Sequence, residues 1–426
     1  MLDRTTVPAI HDAIEFDFVL PSIHKDQLEN GLPLYWFNGG VQDVVEINWV
    51  FPAGLWYETK PALAHAVTGL LKNGTSTKTA HEINEALEFF GASLRINPGN
   101  DFATISLHTL TKHLDHLLPI IYEMLTDAVF PEEELQLHKQ NSIQKLLVSL
   151  RKSDFVANQK IDSLLFGEEH PYGRFTKQLA IEELKRDDLL AFYKKNFALA
   201  NAQIFMSGKV GQQEIDSLNK VFGKVALQEE KIQPFHFEIT TNTEKKQEFI
   251  NDINGVQGAI RLGRLFPNRH HKDYAAMVVL NTLFGGYFGS RLMSNIREEK
   301  GFTYGIYSSI APYLNGGSLT IHTEVGRDVI APAIKEIRHE MNLLCNELAD
   351  EEELLLVKNY LLGNLLGDID GPFQILQRWR MLILNGLDEQ HFNRNVSIYK
   401  SVTAKELQTL AQQYFNSEEF LEVVVV

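Results

Sequence analysis

Four landmarks occur twice along the chain, in the same order and at nearly constant spacing. "VQDVVEINWVFPAG" begins at Val41 and "VQGAIRLGRLFPNR" at Val256, so Phe51-Pro52 and Phe266-Pro267 lie 215 residues apart. "ATISLHTLTKHLDHLLPIIYEML" faces "GSLTIHTEVGRDVIAPAIKEIRHEM", with His108-Thr109 and His322-Thr323 separated by 214. "PEEELQLHKQ" faces "DEEELLLVKN", with Glu132 and Glu351 separated by 219. A run of 426 residues is too long for one ordinary core. The repeat divides it into two homologous units of about 200 residues, a usual domain size. The expected boundaries are 1–227 for the first domain and 250–426 for the second. Residues 228–249, charged and without a sustained helical stripe, are the expected linker.

Each half has the same layout. In the first, Val45, Ile47, Trp49 and Phe51 alternate with Glu46 and Asn48, a half-buried strand. A helix is expected from about Pro61, with Leu63, Val67, Leu70 and Leu71 on one stripe and Gly74 as its stop. A second amphipathic helix should run from about Ala80 to Phe90, ending at Gly91. Ala103, Ile105 and Leu107 alternate as a further strand, followed by helices from about Lys112 and from Pro131. Strands and helices mix without strict alternation, so the fold class is α+β, each half a mostly antiparallel sheet covered by helices.

Bulk properties exclude several functions. The formal net charge is −15 and no Lys/Arg block is present, which argues against nucleic-acid binding. An acidic surface of this size is accounted for by solubility. A single cysteine, Cys345, allows no intrachain disulfide and favours a cytoplasmic location. "MLDRTTVPAIHDAIEF" lacks the basic start and apolar run of a signal peptide, and no stretch is apolar enough to span a bilayer.

The stretch "ALAHAVTGLLKNGT", residues 62–75, has a histidine, a helical pattern and a glycine stop. A helix carrying H-x-x-E-H sets two histidines at i and i+4 on one face, where both reach a zinc ion, while the glutamate acts as base on bound water. Together with "FPAGLWYE" at residues 51–58 and the repeated halves, this stretch resembles the pitrilysin/insulinase family, the inverzincin peptidases, and above all its small two-domain members. The resemblance implies a half-clamshell of two related domains. It breaks at the chemistry. His65 keeps the first histidine position, but Thr68 stands where the base belongs and Gly69 where the second histidine belongs. The family's third ligand is a glutamate on the helix after "FPEEEL"; the matching position is Gln136, with His138 two residues on. Glu132, Glu133 and Glu134 read as the acidic first turn of that helix. Catalytic zinc takes three protein ligands, so no metal is expected in this chain. His113 and His116, and the pair His270-His271, read as surface residues, since none brings a carboxylate at ligand spacing.

The second half contains "SRLMSNIREEKGFTYGIYSSI", residues 290–310. Leu292 and Ile296 with the polar run after them read as a helix end, Gly301 as its cap, and Phe302, Tyr304 and Ile306 as the next strand. Arg297 and Tyr304 would then aim at one point across a tight turn. The family has an arginine and a tyrosine at this spacing in its second domain. They face the zinc, bind the substrate backbone and stabilise the oxyanion, a role suited to a guanidinium and a phenol. Taken singly, Arg297 would be a helix-end cation and Tyr304 a half-buried strand aromatic. The nearby Gly285, Gly286 and Gly289 match the family's loop style, and no phosphate-cradle motif follows them. Gly371-Pro372 is expected to end or bend a helix.

The resemblance therefore implies the non-zinc subunit of a heteromeric zinc endopeptidase: no cofactor in this chain and zinc in a homologous partner subunit, with homodimer against heterodimer left open by the sequence. Arg297 and Tyr304 would complete the partner's site, and a peptide substrate would add as a strand along the edge at Ala92, Ser93 and Leu94. Two other expectations stand beside it: a purely structural or recognition subunit of a larger assembly, and a self-sufficient metallopeptidase with a different site.

Overall fold

The alternation at Val45, Ile47, Trp49 and Phe51 becomes one of the central strands of a six-stranded sheet. The structure is a computed structural model that describes residues 11–227, 232 and 235–426. Part of the expected linker, and the first ten residues, lie outside the described residues. The first sheet comprises β1 (His24–Gln27), β2 (Pro33–Asn38), β3 (Val44–Phe51), β4 (Ser93–Pro98), β5 (Ala103–Leu110) and β6 (Gln203–Gly208). The second comprises β7 (Lys246–Phe249), β8 (Gln257–Leu265), β9 (Ile306–Tyr313), β10 (Gly316–Gly326) and β11 (Leu421–Val425). The strand β7 thus occupies the last residues of the segment expected as linker.

The strand orders show the repeat in three dimensions. The first sheet runs β1-β2-β6-β3-β5-β4 and the second β7-β11-β8-β10-β9. Apart from the additional β1, each strand has its counterpart in the same place. The one parallel pairing also recurs, β2 with β6 and β7 with β11, while all the other pairs are antiparallel. The architecture is two related α+β units, as expected. Both sheets end on a corresponding edge strand, β4 in the first and β9 in the second.

One face of each sheet is covered by helices of its own half. In the first, Ile47, Trp49 and Phe51 pack under Val67, Leu117, Ile121 and Phe197. In the second, Ile260, Leu262, Leu319 and Ile321 pack under Met277, Ile337 and Ala411. The other faces are covered by exchange. The helix Ser153–Phe166 from the first half of the chain lays Ile161 and Leu165 on Val423 and Val425 of the second sheet. The helix Pro372–Leu384 from the second half lays Leu376 on Val50 and Phe205 of the first. These two helices begin 219 residues apart, the spacing of Glu132 and Glu351. This cover explains why Asn48 and Val50 are buried along with the alternating set: β3 is packed on both faces.

Local signals in the sequence explain most boundaries. The helix Ala80–Phe89 starts at Thr79, whose hydroxyl accepts from the Glu82 amide while Glu82 reaches back to the Thr79 amide. Gly91, with φ +60°, takes the left-handed conformation after it. Glu132, Glu133 and Glu134 do form the first turn of the helix Glu132–Leu150. Gly371-Pro372 starts a helix instead of ending one. Gly371, at φ +96°, is the N-cap and Pro372 the first residue of the helix it opens, where a missing amide proton costs nothing.

Candidate functional site

The motif helix is short, Leu63–Leu70: it begins two residues after the expected start at Pro61 and ends four residues before Gly74. Ala62 stands before it with φ +72°, and the Glu58 carboxylate accepts from the Ala64 amide at 2.8 Å, so an acidic side chain five residues before the helix caps it. Glu58 also accepts from Arg174 Nη2 at 3.0 Å. Burial outweighs both contacts and pushes its carboxyl up to about 7.

On this helix the three motif positions take separate paths. His65 reaches solvent, yet the protein around it desolvates the imidazole and lowers its pKa. Thr68 is buried and turns its hydroxyl back to its own helix, donating to the Ala64 carbonyl at 2.7 Å. It therefore presents no base to the surface. Gly69 leaves a gap, and His138 of the helix Glu132–Leu150 fills it: a Cβ at Gly69 would lie 2.8 Å from His138 Cε1. Burial lowers the His138 pKa, with Lys145 and His65 adding to the effect. Its Nε2 lies 3.3 Å from Ser142 Oγ. Gln136 does not face this point. It is exposed and donates to Glu132 Oε1 at 2.7 Å on the solvent side of the helix. The expected register is therefore corrected: the residue of this helix that meets Gly69 is His138, one helical face round from Gln136.

The donor set does not fit a zinc ion. It offers two imidazoles and no carboxylate, and the charged neighbour that His138 senses is the cation Lys145. Among the described residues there is no group of three or more His, Cys, Asp or Glu side chains placed to hold a metal. His65 and His138 are two neighbouring imidazoles, each with its pKa lowered by burial.

The second cluster is on the other sheet. Met293–Glu299 is a wide turn in which the Lys300 amide reaches back five residues to the Asn295 carbonyl, at 2.9 Å. Such π-type turns are often found at functional positions. Gly301 then takes φ +65° and stops the helix, as its sequence position implies. Tyr304 differs from expectation. The strand β9 starts at Ile306, and Tyr304 sits in the turn before it, with 93% of its surface exposed. The reason is Thr303, whose hydroxyl accepts from the Gly305 amide at 3.1 Å and donates to the Glu324 carbonyl of β10 at 2.7 Å. This side chain takes the place of ladder bonds and holds the turn out from the sheet. A half-buried strand aromatic is thereby excluded for Tyr304.

Arg297 and Tyr304 do meet. The guanidinium carbon of Arg297 lies 5.8 Å from the Tyr304 ring centre and 4.7 Å from that of Phe288. Arg297 Nη1 is 3.7 Å from Glu298 Oε1, a loose pair that leaves donors free. The arrangement presents a planar cation and a phenol to solvent beside a sheet edge, donors suited to a carbonyl or a developing oxyanion. Phe288 was not singled out from sequence. An aromatic between Gly286 and Gly289 was the available signal. Ser93 and Leu94 are on the edge strand β4 and Ala92 directly precedes it, so the sheet edge expected there exists, and the motif helix packs against it. Gly285 and Gly286 close a turn and Gly289 follows in the loop.

Comparison with known proteins agrees with this picture. Residues 183–361 match a family model described as "Peptidase M16 inactive domain". A Rickettsia felis protein called an uncharacterized zinc protease is 25% identical over 80% of this chain and 82% of its own. The Bacillus subtilis uncharacterized zinc protease YmxG is 22% identical over 94% of this chain and 98% of its own. Among solved structures, a peptidase M16 inactive domain from Pseudomonas fluorescens superposes with a TM-score of 0.82 at 20% identity, covering 95% of this chain and 98% of that one. A protease from Helicobacter pylori superposes with a TM-score of 0.86 at 18% identity, covering 96% of this chain and the whole of that one.

Proposed function

We propose that the chain is the non-zinc subunit of a heteromeric zinc endopeptidase of the M16 family, a reading supported by the match of residues 183–361 to the family's inactive domain and by the likeness to proteins called zinc proteases. The observation that carries the reading is a contrast within one molecule. The motif helix has no base and no second imidazole of its own, while Arg297 and Tyr304 stand together at the start of the second sheet's edge. The match to an inactive-type domain supports a non-catalytic family subunit. No helix among the described residues is long and apolar enough to cross a membrane.

In this reading a homologous partner holds the zinc and its general base. This chain holds the peptide. The free edge of β4, the strand that carries Ser93 and Leu94, takes the peptide as an added strand. Arg297 and Tyr304 donate hydrogen bonds to the carbonyl under attack, and these bonds strengthen as negative charge develops on its oxygen. Tyr304 stands on the turn pinned by Thr303, so little backbone reorganisation is needed there as the charge forms.

The test is reconstitution. The chain is mixed with a similarly sized family member that carries H-x-x-E-H, and cleavage of a quenched fluorogenic peptide is followed. Turnover should appear only in the mixture. Tyr304→Phe removes one exposed hydroxyl and should lower kcat by about 10²–10³, the usual loss for an oxyanion donor, with the complex intact on size exclusion. An active, intact complex with an unchanged kcat/KM would end the transition-state role, and a structural or recognition subunit would then be the better account.

A further inference from the structure

We propose that Phe288 is a positioning residue that fixes the Arg297 guanidinium for its contact with the peptide carbonyl; this rests on the subunit reading above. Three observations carry it. The Phe288 ring centre lies 4.7 Å from the Arg297 guanidinium carbon, closer than the Tyr304 ring at 5.8 Å. Phe288 is 59% exposed, so its ring is not there to fill the core. The loop that carries it is anchored on both sides. Before it, Tyr287 packs on Tyr360, with ring centres 4.8 Å apart. After it, Arg291 makes a two-pronged pair with Glu353, both contacts at 2.8 Å. Gly285 lets the chain press onto β9: a Cβ there would come within 2.6 Å of Ser308 Oγ and 2.9 Å of the Ser308 nitrogen.

An arginine side chain has several rotatable bonds, and among the described residues the only ion pair of Arg297 is the loose one with Glu298. An aromatic face against one side of the guanidinium removes much of that freedom while leaving the N–H edge open. The Tyr304 ring is also near, at 5.8 Å, so one loop and one turn together confine the guanidinium. Phe288 touches no reacting atom in this scheme; it acts through Arg297.

The experiment uses the full-length chain. In the free protein, the Arg297 Nε–Hε resonance, identified by its loss in Arg297→Lys, reports the ring currents directly. It should move in Phe288→Ala and Phe288→Leu and stay close to its native position in Phe288→Trp. The melting temperature should be the same in all of them, because the side chain is mostly exposed. In the reconstituted pair, with a quenched fluorogenic peptide, Phe288→Ala and Phe288→Leu should lose about two- to fivefold in kcat, the scale of an exposed cation–π contact. KM should be unchanged, and Phe288→Trp should restore the rate. An Arg297 resonance that ignores Phe288→Ala overturns the proposal. So does a native rate for Phe288→Ala when Arg297→Ala and Tyr304→Phe are impaired, a result that leaves the subunit reading standing. If none of the three variants changes turnover, the subunit reading fails and this inference fails with it.

Discussion

Removing the carboxylate of Asp154 should destabilise the chain more than removing the arginine it pairs with. Arg261 is in the middle of the second sheet, on β8, with its side chain 1% exposed, whereas the Asp154 side chain is 48% exposed. The guanidinium contacts the Asp154 carboxylate and donates to Asn158 Oδ1 at 2.8 Å and to the Asp154 carbonyl at 3.2 Å, both on the exchanged helix Ser153–Phe166. It also donates to the Ile260 carbonyl at 2.9 Å. Breaking a buried pair by deleting one partner costs about 3–5 kcal/mol when the remaining charge cannot reach water. Asp154→Ala leaves that situation at Arg261, softened by the neutral acceptors, so about 3 kcal/mol is expected. Arg261→Met removes the buried charge and fills the space with an apolar chain, and the half-exposed Asp154 returns to solvent. Replacing a buried ion with a packed apolar residue is close to neutral, so a loss within about 1 kcal/mol is expected. Asp162, already pushed up to about 7 by burial, takes a proton more readily once Arg261 is gone and so does not become an uncompensated charge. Urea unfolding at neutral pH, followed by far-ultraviolet circular dichroism, measures both variants. An Asp154→Ala protein as stable as Arg261→Met would refute the argument.

Other expectations follow from the same geometry. The purified chain should carry no stoichiometric zinc, because the two imidazoles at His65 and His138 have no carboxylate beside them; about one tightly held equivalent by elemental analysis would contradict this. Gly69→Ala should change stability by no more than about 1 kcal/mol, because the helix preference of alanine over glycine offsets the shift it forces on the end of the His138 side chain, and Gly69→Ala combined with His138→Ala should melt higher than His138→Ala alone. Burial holds His170 at about 4, below its ordinary 6.5. The unfolded state therefore binds the proton more readily between these values, and the histidine's contribution is complete above 6.5 and lost as pH falls towards 4. Its size is up to about 3 kcal/mol, so His170→Phe should lose less stability than the parent between pH 7 and 5, and parallel pH profiles would show that the histidine is not the cause.

The repeat made much of the fold legible, because a duplicated pattern fixes strand order in one half from the other. The first helix stops and caps were legible for a local reason: glycine at positive φ and Thr79 with Glu82 act within a few residues. The exchange of helices was not legible. Ile161 and Leu165 announce an apolar face, but periodicity carries no information about which sheet that face will meet. The position of Tyr304 was missed because an alternating pattern ran through Phe302, Tyr304 and Ile306, while a single hydroxyl on Thr303 diverted the backbone. The register at Gln136 failed for a related reason: on a helix, a shift of two residues changes the face, and only the gap at Gly69 showed that His138 occupies it.

The crossed helices also bear on how such a chain can arise and be divided. If either half were made alone, Val423 and Val425, or Val50 and Phe205, would lose the cover that the other half provides. A sheet with one uncovered apolar face is an aggregating species, so neither half is an autonomous folding unit. A half-length ancestor with this pattern could complete itself by lending its helix to a second copy and borrowing one in return, a two-fold swapped dimer. Joining the copies end to end would preserve every contact and free each half to diverge. The same logic makes the chain divisible in the laboratory: cut between its halves, the fragments should be inert singly and should regain structure only when expressed together.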